Sequence, residues 1–415
     1  MPRGFRHSRY WLARRVDPVN AQVMISLSEA RQIITAALPA KPGIRVPLAD
    51  AHGLMLEEPV VADAWYPNGD RSQMDGYVVR YDAEPGTFRL IGEIAAGAVP
   101  DQVLLPGDCF RIFTGALLPE NGGRVIMQEA VCRAGDQVVM NDFTEKSYVR
   151  LKGSEAMPGD IRLASGSRLG ALELAILAQV GHVHPLVIPA PSVCHLATGG
   201  ELVDPAQTPG PGQIRDTNTS LLRALFRDLG VRDFATSRVQ DDLAATVQAA
   251  DTQADLLVLS GGASVGDYDF GAAALRELGY TIHFDRVNLR PGKPLTFATR
   301  GTQAAFVIPG NPVSHYVCFQ TAIRAALECL AGRPVSWPAV WIQLEGGVSL
   351  SADPRETWWP AQVTAREGNL RVAPNRWSSS GDTFSLAGTN ALVLVNPHSP
   401  CDGRALTLMH GAPTL

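Results

Sequence analysis

The chain has 415 residues, of which 46% are hydrophobic and 19% charged, with a formal net charge of −5. Such a chain has the core of an ordinary multidomain globular protein and room for two to four domains. The negative balance argues against nucleic acid as the main partner, and no uninterrupted apolar run is long enough to span a bilayer, so no membrane partner is expected.

Cys109, Cys132, Cys194, Cys318, Cys329 and Cys401 are scattered, with no Cys-x-x-Cys pair. This predicts buried free thiols in a reducing compartment, hence a cytoplasmic protein. Residues 1–23 hold five Arg and one Asp. No apolar segment follows Arg14-Arg15, so this reads as a disordered extension, or as the product of an upstream start codon with Met24 the natural beginning, rather than a signal peptide.

Leu27–Leu38 is an amphipathic helix capped by Ser26 or Ser28 and stopped by Pro39. A strand and turn follow to Leu56. Residues 63–165 read as short strands broken by Gly, Pro and Asp, at Tyr77–Arg80, Thr87–Ile94, Cys109–Ile112, Arg124–Met127, Gln137–Val139 and Tyr148–Leu151. Two loops there stand out, Asp75-Gly76 before a strand and Thr114-Gly115 after one, although Asp-Gly also favours plain turns. Leu169–Ala178 is a second helix, expected to pack on the first across the β insertion. His182 and His184 share a strand face without further ligands at metal-binding spacing.

From Ala190 strands and helices alternate, the pattern of an α/β domain. Strands are predicted at Ser192–Ala197, Phe234–Val239, Leu256–Leu259, Tyr280–Phe284 and Ala304–Ile308. Helices are predicted at Thr217–Leu229, Leu243–Ala250, Ala272–Leu278 and Tyr316–Leu330. Leu256–Leu259 empties into Ser260-Gly261-Gly262-Ala263-Ser264-Val265-Gly266, followed by Asp267 and Asp269. A bare backbone at a helix start cradles an oxyanion, and acids beside it suit an anion that arrives with Mg²⁺. Glu201, Asp241, Asp269, Lys293 and the Pro309-Gly310-Asn311-Pro312 turn each follow a strand. In a parallel sheet the carboxyl ends share one edge, where ligands bind, so five such loops argue for a site. After Ala331-Gly-Arg-Pro334 the chain returns to short strands, which predicts a closing β barrel.

Several stretches resemble the molybdopterin molybdenumtransferase family, MoeA and the E domain of gephyrin. They are Gln73–Tyr77, Phe113–Ala116 with Val125–Glu129, Gly212–Asn218, Ser260–Asp269, Arg290–Pro294 and Ile308–Ser314. In family order and at family spacing, they cover roughly Met24–Leu415. The resemblance implies an α/β multidomain fold with a parallel-rich, molybdopterin-binding-like α/β domain at 189–334. It adds a β-rich insertion at 63–165, a helical linker domain at 24–62 and 166–188, and a C-terminal β barrel at 335–415. It implies insertion of molybdate into adenylylated molybdopterin, with Mg²⁺ and release of AMP, in a homodimer whose site is shared between subunits. A contact with the adenylyltransferase of the same pathway is also implied.

On that resemblance Glu201, Asp241 and Asp269 hold Mg²⁺ against the pyrophosphate link. Arg286, Arg290 and Lys293 balance oxyanion charge, with molybdate the candidate. Ser260, Gly261, Gly262, Ser264 and Gly266 bind phosphate or pterin oxygens. Pro309, Pro312, Ser314 and Ser380 are further contacts, and Asp75 and Thr114 complete the pocket from the partner chain. Departures from the family pattern are Gly200 in place of an Asp, Gln73 in place of an Ala, Arg286 and Arg290 where Lys is common, and a loose match at Ser379–Asp382. Two other readings stay open: an adenylyltransferase, which ATP consumption reveals, and a non-enzymatic scaffold, in which Asp269→Ala changes nothing.

Overall fold

The computed structural model describes residues 24–261 and 270–414. The chain divides into two compact units, one of Arg45–Val187 and the other of Met1–Ile44 with Ile188–Leu415. Residues 1–23, and the predicted anion cradle from Gly262 to Asp269, lie outside the described residues.

Helix α1 (Leu27–Ala37) starts at a reciprocal cap. The Ser26 hydroxyl accepts from the Glu29 N–H (3.2 Å), and the Glu29 carboxylate accepts from the Ser26 N–H (2.8 Å). Its buried stripe, Leu27, Ala30 and Ile34, joins the main core of the larger unit.

The smaller unit is built on a sheet of β1 (Gly76–Arg80), β2 (Gly86–Ile94), β3 (Asp108–Ile112), β4 (Gly122–Met127), β5 (Cys132–Ala134) and β6 (Gln137–Met140), in the order β4-β1-β3-β2-β6-β5. Apolar residues alternate to its two faces: Tyr77 and Val79 enter one cluster, Val78 and Phe110 another. Gly76 is sterically required, because a Cβ there runs into the Ile126 carbonyl oxygen. Helix α2 (Ala171–Gln179) buries Leu177 in a third cluster, with Leu56, Val60 and Val187. The apolar residues of α1 and α2 feed different cores, and α1 packs on the long helix that ends at Leu330.

In the larger unit, β7 (Val193–Thr198), α3 (Thr217–Asp228), β8 (Phe234–Val239), α4 (Leu243–Ala250), β9 (Leu256–Ser260), α5 (Phe270–Glu277), β10 (Thr281–Phe284), β11 (Thr296–Arg300) and β12 (Gln303–Ile308) form an α/β domain. The sheet order is β8-β7-β9-β12-β11-β10. The first four strands are parallel, and β9 is buried along its whole length, which matches its unbroken apolar run. Strand β11 escapes sequence reasoning because Thr296, Thr299 and Arg300 dilute its apolar pattern. It runs antiparallel to both β12 and β10. Strand β10 is therefore parallel to β12, and the segment from Asp285 to Leu295 returns at the carboxyl edge.

The predicted Tyr316–Leu330 helix begins earlier, as α6 (Pro312–Cys318) with Pro312 in its first turn. It widens into a π turn at Phe319–Ile323 and continues as α7 (Arg324–Leu330). The last domain comprises β13 (Ala339–Leu344), β14 (Glu356–Arg366), β15 (Asn369–Pro374), β16 (Ala391–Val395) and β17 (Arg404–Met409). Pairing runs β14-β15-β13-β17-β16 and back to β14, which closes a five-stranded barrel and leaves no edge in that circuit.

No helix among the described residues is long and apolar enough to cross a membrane. All six cysteines are unpaired, but only Cys109, Cys194 and Cys318 are buried. Cys132 is exposed because β5 is a sheet edge whose residues all face solvent.

Candidate functional site

A cavity of about 890 Å³ opens at the carboxyl edge of the parallel strands. Thr198 from the end of β7, Glu201 and Asp241 from the loops after β7 and β8, Ser260-Gly261 at the end of β9 and Pro312 after β12 line it. Topology thus gathers residues spread over more than a hundred positions, as the strand order requires. Gly261 has φ +94°, and a Cβ there lies 2.6 Å from Thr198 Oγ1 and 2.9 Å from Thr198 O, so only glycine passes under this wall.

Beneath the cavity floor, the Ser260 hydroxyl is held between two histidines. His195 Nε2 and His315 Nε2 each lie 2.6 Å from Ser260 Oγ. His315 Nδ1 is 3.1 Å from the Asn311 carbonyl, which can only accept, so Nδ1 carries the proton and Nε2 accepts from Ser260. Ser260 in turn accepts from the Nε2–H of His195, leaving His195 Nδ1 to face the hydroxyls of Thr219 (3.3 Å) and Thr236 (3.4 Å). Burial holds both imidazoles neutral, pushing His195 down to about 3 and His315 to about 4. The single hydroxyl proton of Ser260 is committed to His315, so this hydroxyl is not free to donate to a ligand.

Among the described residues, Glu201 and Asp241 make no ion pair and no side-chain hydrogen bond. Two carboxylates left without a cationic partner in one cavity are hard oxygen donors of the kind Mg²⁺ takes, one or two at a time, alongside substrate phosphates and water. No group of three His, Cys, Asp or Glu clusters at metal-holding distance among the described residues. The donor set therefore fits an ion shared with an anionic substrate better than a closed protein cage. Asp269 lies outside the described residues.

The basic residues are differently placed. The Arg290 guanidinium donates to Asp353 (2.9 Å) and stacks over Trp377 at 5.4 Å, so its charge is already balanced by the barrel domain. Lys293 is exposed, and neither it nor the half-buried Arg286 has an ion pair among the described residues. None of these three lines the cavity. Ser314 is buried at 2% exposure inside α6, and Pro309 lies just short of the lining. Ser380 meets the α/β domain from the barrel: its hydroxyl accepts from Asn311 Nδ2 (2.9 Å) and its carbonyl from the Val313 N–H (3.1 Å). Gly381, Thr383 and Phe384 of the same loop reach the cavity.

In the smaller unit, Asp75 and Thr114 form a pair. The Asp75 carboxylate accepts from the Thr114 N–H (2.8 Å) and hydroxyl (2.7 Å). Both residues are exposed, and these hydrogen bonds hold the carboxyl below its ordinary range. His182 is occupied by Glu58 at 2.9 Å rather than by other candidate ligands.

Family models match along the chain in order: the MoeA N-terminal region (domain I and II) at 25–181, a probable molybdopterin binding domain at 194–329, and the MoeA C-terminal region (domain IV) at 346–400. The chain is 36% identical, over 84% of its length and 84% of the relative's, to a molybdopterin molybdenumtransferase of Nostoc. The chain belongs to the molybdopterin molybdenumtransferase family. It is also 29% identical to a Staphylococcus aureus protein of the same name, covering 89% of this chain and 91% of that one. A molybdopterin biosynthesis MoeA protein from Pyrococcus horikoshii superposes with a TM-score of 0.78 at 25% identity, over 94% of this chain and all of the other.

Within this transferase fold, sequence reasoning passed over several cavity residues. Asp216 stands within the family-like stretch Gly212–Asn218 without an assigned role; its carboxylate caps α3, accepting from the Thr219 N–H and hydroxyl, and it also lines the cavity. Asn218 donates through Nδ2 to the Gly310 carbonyl (2.7 Å), while its Oδ1 is buried without a partner. His195 and His315 are hidden by their apolar surroundings. A buried histidine inside an otherwise apolar strand is the one signal that could have marked the first.

Proposed function

We propose that the protein is a molybdenumtransferase of molybdenum cofactor biosynthesis that inserts molybdate into adenylylated molybdopterin and releases AMP. The observation that carries this reading is the cavity that Glu201 and Asp241, with no cationic partner, line together with Ser260-Gly261 and the Asn311-Pro312 turn. Acids with no counter-charge repel a lone anion; they accept a polyphosphate that brings Mg²⁺. When bound, Mg²⁺ neutralises the pyrophosphate link and favours departure of AMP.

The chain's own part is positional and electrostatic. Glu201 and Asp241 hold the cation side of the complex, and the turn after β12 seats oxyanion oxygens. Arg286 and Lys293, on the segment that returns at the same sheet edge, are the available positive charges for molybdate; one molybdate oxygen leaves as water with the two dithiol protons as both sulfurs bind, and a second water adds to the pyrophosphate phosphorus as its bond to AMP breaks. Arg290, tied to Asp353, sets the orientation of this loop against the barrel. Asp75 and Thr114 act in a homodimer, completing the site from the other subunit. A cytosolic setting and hand-over from the adenylyltransferase of the pathway accompany the reading.

The test is reconstitution. Protein, Mg²⁺, molybdate and adenylylated molybdopterin are incubated with a cofactor-free molybdoenzyme, and the activity recovered is measured. Recovery that depends on molybdate supports the proposal; no recovery removes it. ATP consumption without added adenylate points instead to an adenylyltransferase.

A further inference from the structure

Two large apolar side chains stand in solvent on the lining of the substrate cavity, Ile214 at 55% exposure and Phe384 at 89%. Phe384 is the most exposed large apolar side chain among the described residues. Exposing a phenylalanine forfeits hydrophobic stabilisation, so its setting matters.

The turn that carries Phe384, Thr383–Leu386, is anchored from three sides. Asn375 Nδ2 donates to the carbonyls of Ser385 (2.7 Å) and Ala387 (3.2 Å). The Ser385 hydroxyl, buried at 5% exposure, donates to the Asp382 carbonyl (2.6 Å). Upstream, Ser380 is pinned to Asn311 and Val313 at the start of α6. The backbone is thus fixed by polar contacts while the ring is left bare at the cavity.

A second observation in the same cavity concerns a polar edge. Because Asn218 Nδ2 is spent on the Gly310 carbonyl, Oδ1 is the atom left over, and it is a buried acceptor without a partner. Such an orphan calls for an N–H or O–H donor. An aromatic face and an unfilled acceptor are together what a planar nitrogen heterocycle requires, one for its face and one for its N–H edge.

We infer that Phe384 is a specificity-determining residue, on whose ring a planar nitrogen heterocycle of the substrate stacks while Asn218 Oδ1 accepts from the heterocycle's N–H edge. This rests on the proposed function, whose substrate carries two such rings, a pterin and an adenine. Ile214 supplies apolar surface on the same lining.

The experiment uses the full chain and three variants, Phe384→Ala, Phe384→Leu and Phe384→Tyr. Binding of AMP, neopterin and ribose 5-phosphate is measured by calorimetry, and KM and kcat are measured for AMP release. Phe384→Ala is expected to weaken one of the two ring-bearing probes roughly tenfold, which identifies the ring, with ribose 5-phosphate binding unaltered. KM rises by about the same factor while kcat holds, as for contacts remote from the reacting atoms. Phe384→Tyr stays near wild type and Phe384→Leu, apolar but without a π face, does not. Since the side chain is bare, the thermal midpoint of Phe384→Ala should match wild type. Unchanged KM and unchanged probe binding in Phe384→Ala overturn the inference. So does a loss of dimer in light scattering without a KM effect, which assigns the ring to a subunit contact. Absence of AMP release by the wild-type chain itself contradicts the proposed function instead, so the two failures are distinct.

Discussion

Asp75 accepts two hydrogen bonds from Thr114, one from its amide at 2.8 Å and one from its hydroxyl at 2.7 Å, across 39 positions of sequence. The pair joins the turn before β1 to the end of β3, and it leaves an exposed, ionised carboxylate on a fixed frame. Thr114→Val keeps the amide bond and removes the hydroxyl. The Asp75 carboxyl is then expected to titrate closer to its ordinary range by NMR, with the fold unchanged.

The proposed sharing of the site between subunits makes a sharper demand on the same residue. Asp75→Ala and Asp241→Ala chains, each inactive alone, should complement one another when refolded together. Random mixing yields heterodimers with one intact site, giving roughly a quarter of wild-type AMP release. Mixtures as inactive as the parents place both residues in the same subunit's site.

Gly261 tests the cavity wall. Gly261→Ala puts a methyl group against Thr198 at a backbone φ of +94°. A loss of roughly 1–3 kcal/mol in urea unfolding is expected, together with weaker substrate binding. A fully stable Gly261→Ala protein contradicts the close approach of β9 and β7 at this point.

The two buried histidines give a pH dependence whose sign is fixed. Their folded values, about 3 for His195 and about 4 for His315, lie below the ordinary 6.5, so the unfolded chain binds protons first on acidification. Their contribution is fully present above pH 6.5 and is lost as pH falls from there toward 4. Each histidine is expected to cost on the order of 2 kcal/mol between pH 6.5 and 5. Urea midpoints across that range should fall steeply in the wild type and less steeply in His195→Phe. Identical slopes contradict the neutral, buried assignment.

Gly200 occupies the position where an acid is usual in the family. A Cβ there meets nothing within 4 Å, so Gly200→Asp should fold with stability within about 0.5 kcal/mol of wild type. The added carboxylate beside Glu201 is expected to lower the Mg²⁺ concentration that half-saturates AMP release. An unchanged Mg²⁺ requirement separates this position from the cation.

The edge of the sheet was legible because its parts are local. Leu256–Leu259 reads as a strand from its apolar run alone, and the acid or glycine after each strand follows from chain order. Strand β11 was not legible, since threonines at positions 296 and 299 blur its pattern and its partners come from tertiary pairing. Arg290 looked like a free cation because its partner, Asp353, lies 63 residues away in another domain. Phe384 was invisible for the same reason: a barrel loop reaches the α/β cavity only once Ser380 docks on Asn311. His195 was silent because a hydrogen-bonded histidine and a core residue occupy a strand in the same way.

Coupling of molybdate insertion to adenylate cleavage in this cavity is read from AMP release from adenylylated molybdopterin, followed chromatographically with and without molybdate and Mg²⁺, for wild type and Asp241→Ala. The expected result is AMP formed only when both ions are present, with a loss of a hundredfold or more, order of magnitude, in Asp241→Ala. AMP release by Asp241→Ala at the wild-type rate, or none by the wild type, contradicts it.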